Sequence, residues 1–309
     1  MELGVSAYVH VVIHVVLVVV MPPVLLGIIN KTKALVAGRK GPPVLQAYYD
    51  LFKLLRKGAV FSTTTTWLFR AGPVVGLITT LAAALVLPFA GHLAPINFAG
   101  DFVLFAYLLG LGRFFTVAAA LDTGSSFEGM GGAREVTFAC LAEPAVFFGL
   151  LVLAKASDTL SLSTMLGPSI AVTWGAAGAA LVAICASFLI VLLAENSRIP
   201  FDDPNTHLEL TMVHEVMVLD HGGPLFGAIL YGASIKLFLY GAIVVGIAAP
   251  LGAVNPWLAW LIFIGAMFLL AVVIGVVESL MARLRLTQIP SLLLAACLMS
   301  AFGALLLVR

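Results

Sequence analysis

The sequence predicts an all-α, polytopic membrane protein with about eight transmembrane helices and an amphipathic helix on the cytoplasmic side. Three observations predict this class. Of the 309 residues, 62% are hydrophobic and only 10% are charged, whereas soluble domains are roughly half apolar. The apolar residues form eight runs of about twenty residues, the length that crosses a bilayer as a helix. The Lys and Arg residues fall almost entirely in alternate connections between these runs.

The predicted spans follow one another without a soluble domain between them, so residues 1–309 are interpreted as a single membrane domain. The spans cover residues 6–29, 71–90, 102–121, 136–154, 171–194, 225–248, 256–277 and 288–308. The loops predicted on the cytoplasmic side cover about 30–70, 122–135, 195–224 and 278–287. The first run lacks a basic n-region and an A-x-A site, which indicates a retained helix rather than a cleaved signal peptide.

The distribution of basic residues predicts the orientation of the chain. The odd-numbered connections carry Lys31, Lys33, Arg39, Lys40, Lys53, Arg56, Lys57, Arg70, Arg134, Arg198, Arg283 and Arg285. The other side carries only Lys155 and Arg309. Because cytoplasmic loops are enriched in Lys and Arg, the odd-numbered loops are predicted to be cytoplasmic and both termini to lie outside.

The first connection contains an amphipathic pattern. Apolar and aromatic side chains recur at three- and four-residue steps at Leu45, Tyr48, Tyr49, Phe52 and Leu55. Charged side chains fill the other face at Asp50, Lys53, Arg56 and Lys57. This pattern predicts an interfacial helix. Two roles stay open for it: a helix that only lies on the membrane surface, or a docking surface for a peripheral partner.

Three charged residues, Arg113, Glu143 and Lys236, fall inside predicted spans. A charge at the bilayer centre costs about 2.5–3.5 kcal/mol on insertion scales, so such residues face a polar interior and often serve function. Glu135 lies eight residues before Glu143, slightly more than two helical turns, which places both carboxylates near one face. The pattern indicates either a proton or ion path or a static ion pair of Glu143 with Arg113 or Lys236.

A further acidic stretch, residues 195–224, holds six of the fifteen acidic residues and three of the six histidines. Asp203 before Pro204 predicts the start of a helix from about 204 to 220. His207, His214 and His221 recur every seven residues, too far apart along a helix for one metal ion. Because the stretch mixes ionisable and apolar residues, a partner interface or proton entry is favoured over a plain surface helix.

Other candidate cofactor ligands are weak. Cys140, Cys185 and Cys297 lie in apolar runs without C-x-x-C spacing, which is typical of buried thiols. His10 and His14 form an i, i+4 pair on one span, whereas haem in a bundle usually takes histidines from two helices. No metal site is predicted in this chain.

Four segments, taken together, resemble one known family. "GRKGPPVLQAYYDLFKLLRK" (38–57) and "ENSRIPFDD" followed by "LEL" (195–210) resemble loops of the complex I subunit 1 superfamily. "LDTGSSFEGMGGAREVTFACLAEP" (121–144) and "ESLMARLRL" (278–286) resemble its branch in group 4 [NiFe] hydrogenases and formate hydrogenlyase. Each match alone would be weak, but the four occur in order across nearly the whole chain.

The resemblance implies a non-catalytic membrane anchor that docks soluble hydrogenase-like large and small subunits and a ferredoxin-like iron–sulfur subunit. It also implies coupling to proton or sodium translocation by antiporter-like membrane subunits, with the [NiFe] centre and iron–sulfur clusters in partner subunits. Carried over by motif, the docking residues are Arg39, Gly41, Pro42, Gln46, Asp50, Arg198, Pro200 and Phe201. With the intramembrane charges, the expected coupling residues are Glu128, Arg134, Glu135, Glu143, Glu195, Asp202, Asp203, Glu209, Glu215, Arg113 and Lys236.

The sequence departs from the superfamily pattern after P-F-D. His207 stands among the expected acids, and the E-Y-S-G near which this segment usually ends in complex I and standard formate hydrogenlyase chains is missing. This favours a hydrogenase-type subunit over the equivalent subunit of a quinone-reducing respiratory complex, which stays the alternative. A free-standing ion transporter is a third hypothesis, disfavoured because the sequence shows no internal repeat.

Overall fold

The structure, a computed structural model, describes residues 2–202 and 212–308, and these residues are all-α with no β-strand among them. The helices are α1 (Glu2–Val36), α2 (Gln46–Leu55), α3 (Trp67–Val86), α4 (Asp101–Asp122), α5 (Ser126–Ser157), α6 (Leu162–Met165), α7 (Ser169–Glu195), α8 (Gly223–Ala248), α9 (Pro256–Leu280) and α10 (Ile289–Val308). All except α2 and α6 are long and apolar enough to cross a membrane. The eight predicted spans are therefore confirmed.

The connections between the long helices alternate between two faces of the bundle. We call one the basic face; it comprises residues 37–66, 123–125, 196–202, 212–222 and 281–288. We call the other the opposite face; it comprises residues 87–100, 158–168 and 249–255. The basic face carries most of the Lys and Arg residues that lie in connections.

Helix α2 is the predicted amphipathic helix, and it packs against α1 and α8. Its outward side exposes Tyr49 and Phe52, while the Tyr48 hydroxyl donates a hydrogen bond to the carbonyl of Val20 in α1. The hydroxyl of Tyr231 in α8 donates to the carbonyl of Val19 at 2.9 Å. That carbonyl lies four residues before Pro23, which has no N–H to donate. The prolines of α1 therefore expose a backbone acceptor that ties the helix to α8.

Helices α3 and α4 form a close antiparallel pair. A Cβ added to Gly72 would lie 2.7 Å from the Cβ of Ala119, so only glycine permits this approach. Asp122, at the end of α4, caps α3 by accepting hydrogen bonds from the backbone N–H and hydroxyl of Thr66 and the N–H of Phe69. These contacts hold the basic ends of the two helices together.

The core lies between α5, α7 and α10, with α8 and α9 beside them. Gly149 of α5 leaves room for the ring of Phe188 in α7. The Ser187 hydroxyl donates to the carbonyl of Ala296 at 2.7 Å, and that of Ser300 donates to Ser187 at 2.8 Å. Small residues and buried hydroxyl contacts are typical of helix packing in membranes, where apolar burial alone gives little preference for a partner helix.

Two predicted helix boundaries were wrong, because both helices are longer than the predicted spans. Helix α1 continues to Val36 instead of ending near residue 29, and α5 begins at Ser126 instead of residue 136. The region predicted as a loop at 122–135 is therefore mostly helix. Hydropathy ends a span where polar residues begin, but the helix continues because Glu128 and Gly131 are buried against the segment 212–220.

The predicted helix from 204 to 220 was also wrong over its described part. Residues 203–211 lie outside the described residues, and from residue 212 the chain is irregular except for one 3₁₀ turn, Glu215–Val218. The carboxylate of Asp202 accepts the N–H of Val213 at 2.9 Å, and Arg134 donates to the carbonyl of Met212 at 2.8 Å. Side chains of neighbouring elements thus satisfy the backbone groups that a helix would have paired internally.

Candidate functional site

An ionic cluster lies between the long helices, centred on Arg113 of α4. Its guanidinium contacts Glu143 of α5 at 2.5 Å, Glu195 of α7 at 2.5 Å and Glu135 of α5 at 3.4 Å. The Nζ of Lys236 in α8 lies 2.7 Å from Glu195. We call these five residues the Arg113 cluster. Four helices that are distant in sequence supply it. Three of them bring the charges predicted inside spans, Arg113, Glu143 and Lys236, while α7 brings Glu195 from the predicted loop.

Burial makes the Arg113 cluster energetically demanding. The side chain of Glu195 is 4% exposed and that of Arg113 is 10% exposed. A buried charge is tolerated when it is paired and hydrogen-bonded, and removing one partner is costly. With every group ionised, three carboxylates face two cations, so the cluster has a formal charge of −1. One additional proton would neutralise it.

Two cavities meet beside the Arg113 cluster. The inner cavity, about 90 Å³, is bordered by Arg113, Glu135, Glu195 and Lys236. The chamber, about 330 Å³, lies between α1, α2, α8 and the segment that follows α7. Both cavities are lined by Asn196, Ser197, His214, Ile229 and Ala233. The chamber therefore adjoins the charged interior from the basic face.

Glu143 is the exposed member of the Arg113 cluster. Half of its side chain, 51%, is exposed in the isolated chain. It lines a cavity of about 170 Å³ with Tyr107, Val146, Phe147 and Tyr240, among others. This cavity opens laterally between α4 and α5 within the membrane-spanning part of the protein.

The segment 212–222 closes over the cluster from the basic face. Besides the contacts of Asp202 and Arg134, the N–H of Asp220 donates to the buried carboxylate of Glu128 at 3.0 Å. A Cβ on Gly131 would collide with Val216 and approach Met217 to 3.0 Å. Polar contacts at both ends and close packing in the middle hold this segment against α5.

A second buried carboxylate, Glu278 of α9, lies under the basic face. It contacts Lys33 of α1 at 2.7 Å and Arg198, which follows α7, at 3.3 Å. Nearby, Arg283 lies 2.7 Å from Asp202, and the N–H of Leu284 donates to the carbonyl of Pro200 at 2.9 Å. The segments that start at residues 196 and 281 are therefore joined by ion pairs and a backbone hydrogen bond.

The two histidines of the segment 212–222, His214 and His221, have different surroundings. Burial lowers the pKa of His214, an effect that Glu135 opposes and Lys236 reinforces. Burial also lowers the pKa of His221, which stacks on the Phe69 ring with centroids 4.0 Å apart. His214 lines both cavities, whereas His221 lines neither.

The predicted coupling residues fall into three groups. The structure brings Arg113, Glu135, Glu143, Glu195 and Lys236 into one cluster. It places Glu128, Arg134 and Asp202 against the segment 212–222, which itself contains Glu215. Asp203, Glu209 and also His207 lie outside the described residues.

The predicted docking residues are likewise not one patch. Arg39, Gly41 and Pro42 are in an exposed connection. Gln46 and Asp50 are linked by a 2.9 Å hydrogen bond and line the chamber. The remaining three, Arg198, Pro200 and Phe201, take part in the packing under the basic face.

Sequence reasoning missed several residues that the structure brings to these sites. They are Lys33, Tyr240, Glu278 and Arg283. Glu278 and Arg283 stand in the segment "ESLMARLRL", so the motif carried a signal that was not assigned to residues. The sequence carried no such signal for Tyr240, because a tyrosine in an apolar span does not stand out from its neighbours. Among the described residues, no three His, Cys, Asp or Glu side chains are grouped to hold a metal ion.

The chain is similar to known membrane subunits along its length. It matches the family model described as NADH dehydrogenase over residues 8–309. Formate hydrogenlyase subunit 4 of Escherichia coli (strain K12) is 32% identical over 276 residues, covering 87% of this chain and 88% of that protein. Hydrogenase-4 component C of the same organism is 30% identical over 237 residues, covering 77% and 74%.

Among solved structures, a chain of the membrane-bound sulfane sulfur reductase (MBS), an archaeal respiratory membrane complex, has the same fold. The TM-score is 0.81, and the match covers 98% of this chain and 99% of that chain at 19% identity.

Proposed function

We propose that this chain, which belongs to the NADH dehydrogenase family, is a membrane subunit of a formate-hydrogenlyase- or hydrogenase-4-like complex. In this proposal it anchors the soluble electron-transfer module and links the redox reaction to proton or sodium movement. The chain itself is non-catalytic. The [NiFe] centre and the iron–sulfur clusters belong to the partner subunits.

The observation that carries the coupling role is the Arg113 cluster. Five ionisable groups meet at membrane depth on α4, α5, α7 and α8. Ionisable groups in such positions are costly, and they commonly mark ion paths and proton relays. Because each helix contributes a charge, a small displacement of one helix changes the electrostatic environment of all the others. The cluster is therefore suited to exchange protons when a partner moves the basic face.

The basic face supplies the docking surface for the soluble module. The chamber lined by Gln46, Asp50, Arg198 and Glu215 opens there, beside the exposed connection that holds Arg39, Gly41 and Pro42. We assign hydrogenase-like large and small subunits and a ferredoxin-like subunit to this face. A module seated there would contact the segment 212–222 and, through it, the Arg113 cluster.

The lateral opening at Glu143 supports a second kind of partner. Lipid tails cannot hydrogen-bond a carboxylate, so a half-exposed glutamate at membrane depth favours a protein neighbour with polar groups. We assign this side of α4 and α5 to an antiporter-like membrane subunit. In the inner membrane of a cell, the basic face would be cytoplasmic, with both termini on the outer, periplasmic side.

The test uses the intact complex purified through a tag on this chain. Hydrogenase-like and antiporter-like subunits should co-purify, and inside-out vesicles given reduced viologen should couple electron transfer to ion uptake. Glu143→Gln should retain assembly and lose ion uptake. Lys155→Gln, which removes an exposed charge in the last turn of α5, is the matched control and should leave uptake intact. Undiminished uptake in assembled Glu143→Gln complex would contradict the coupling role.

The chamber also favours one alternative, the equivalent subunit of a quinone-reducing respiratory complex. Its volume of about 330 Å³ and its largely apolar lining from α1 and α8 would suit part of an isoprenoid quinone. Electron transfer to a short-chain quinone, blocked by a quinone-site inhibitor, would support this alternative. Hydrogen evolution that is insensitive to the same inhibitor would exclude it.

A further inference from the structure

One ionisable side chain stands between the chamber and the inner cavity. Of the described residues that line both, Asn196, Ser197, Ile229 and Ala233 do not ionise near neutral pH. The fifth is His214, and an imidazole can accept a proton at one nitrogen while releasing one from the other. A proton that passes from the chamber to the Arg113 cluster therefore meets His214 at the boundary.

The charges around His214 favour such a transfer. On the cluster side they are the carboxylates of Glu135 and Glu195 and the ammonium group of Lys236, with Asp202 close by on the preceding segment. Arg113 borders the same inner cavity. Since the cluster has a formal charge of −1, a proton arriving from His214 finds an unneutralised carboxylate. On the chamber side, Asp50, Arg198 and Glu215 line the space that water can enter.

The backbone holds His214 at this boundary. Its carbonyl accepts the N–H of Met217 at 3.1 Å, which closes the 3₁₀ turn. The residues immediately before it are fixed by Asp202 and Arg134. The imidazole is therefore positioned by a segment that is attached to α5 on one side and to the start of α8 on the other.

We propose that His214 relays protons between water in the chamber and the carboxylate of Glu135, since both cations of the cluster already hold Glu195. In each transfer one ring nitrogen binds a proton from the chamber, and the other releases its proton to a carboxylate. A ring flip then exchanges the two nitrogens and restores the starting arrangement, so that the net change is one proton lost by chamber water and gained by the carboxylate. The inference rests on the proposed coupling function and adds to it a specific proton donor.

The protonation of His214 agrees with this role. Because burial lowers its pKa, the imidazole is neutral at pH 7 and binds a proton only transiently. A neutral ring can accept a proton from the chamber, and burial, which disfavours the charged ring, promotes its release to a carboxylate.

The experiment uses the whole complex in inside-out vesicles with reduced viologen as donor. Ion uptake is followed with a lumenal pH dye and, in parallel, with a sodium-sensitive dye. His214→Ala should slow uptake by about 10²-fold, the scale of a lost positioned proton-transfer group. Added imidazole should restore uptake in His214→Ala because the side-chain space is vacated, whereas His214→Gln should stay slow with imidazole present.

His221→Gln is the matched control: it alters a buried histidine of the same segment that lines neither cavity, and it should keep full uptake. Full uptake in His214→Ala would overturn the relay, and so would slow uptake that imidazole cannot restore in assembled complex. Glu195→Gln separates the two proposals. Lost uptake in Glu195→Gln with full uptake in His214→Ala overturns only the relay, while wild-type vesicles without ion uptake overturn the coupling function itself.

Discussion

The two halves of this bundle are held together by different interactions. In the basic half, buried carboxylates pair with Lys and Arg side chains from other helices. Such ion pairs are the Arg113 cluster, the pairs of Glu278 with Lys33 and Arg198, and the pair of Asp202 with Arg283. In the opposite half, backbone caps and stacked rings make the corresponding connections.

The opposite half is closed by aromatic and backbone contacts. The ring of His10 stacks on His92 with centroids 4.2 Å apart, and Trp260 donates its indole N–H to His10 at 3.0 Å. Asp101, at the start of α4, is fully buried and accepts the N–H of Leu162 at 2.6 Å and the hydroxyl of Ser161 at 2.9 Å. These contacts fix the loops without an array of opposite charges.

The two halves are therefore expected to have different roles. Ion pairs respond to a proton or to a nearby charge, and their energies change steeply when one member titrates. Stacked rings and backbone caps respond much less. Movement and proton exchange are therefore expected in the basic half, while the opposite half keeps the helices in register.

The largest expected effect comes from removing the central cation. Arg113→Met should leave Glu195 buried with Lys236 as its remaining partner and Glu135 and Glu143 uncompensated. Breaking a buried pair in this way costs about 3–5 kcal/mol. Membrane levels of the assembled complex, measured by native electrophoresis, should fall sharply. Arg70→Met, an exposed cation over the ring of Phe61, is the control and should assemble normally. Normal levels of assembled Arg113→Met would show that the cluster contributes little to stability.

A smaller effect on stability is expected from substitutions at the two ends of helix α4. Asp101 and Asp122 begin and end α4, and each caps another element. Asp101→Ala should cost about 2 kcal/mol because it leaves a buried N–H unpaired, whereas Asp122→Ala, whose donors water can reach, should cost about 1 kcal/mol or less. The temperature at which the detergent-solubilised complex dissociates would rank them. A larger loss for Asp122→Ala would contradict this account of the opposite half.

The smallest expected effect is a pH dependence at His221. Its ring Nε2 lies 3.2 Å from the carbonyl of Phe69, and since a carbonyl only accepts, the neutral ring donates there. Burial lowers the pKa of His221 below 6.5, so the folded protein favours the neutral ring. This contribution to stability is complete above about pH 6.5 and is lost as pH falls further.

The dissociation temperature should therefore fall between about pH 7.5 and about pH 5.5, and His221→Phe should reduce that fall. His92→Phe is the comparison on the opposite face, where burial and His10 lower the pKa of a histidine that is also stacked. An unchanged pH dependence in His221→Phe would show that other groups cause it.

The sequence was sufficient for the fold class and for much of the site. Eight apolar runs predicted eight helices, because every backbone polar group inside a membrane must be paired within its own segment. The intramembrane charges Arg113, Glu143 and Lys236 were visible individually, since a charge in an apolar run is costly enough to stand out. The motif resemblance agreed with the family to which the chain belongs. The assignment of the basic face to the cytoplasm remains a prediction.

What only the tertiary structure decided was which groups meet. Hydropathy and helical period describe one helix at a time, so they placed Glu135 and Glu143 on one face but did not bring Glu195 to Arg113, 82 residues away. They also predicted a helix where side chains of other elements hold residues 212–220 in an irregular path. The position of His214 at the junction of two cavities has the same origin. Burial and pairing are properties of several helices packed together, and they arise only when the bundle is assembled.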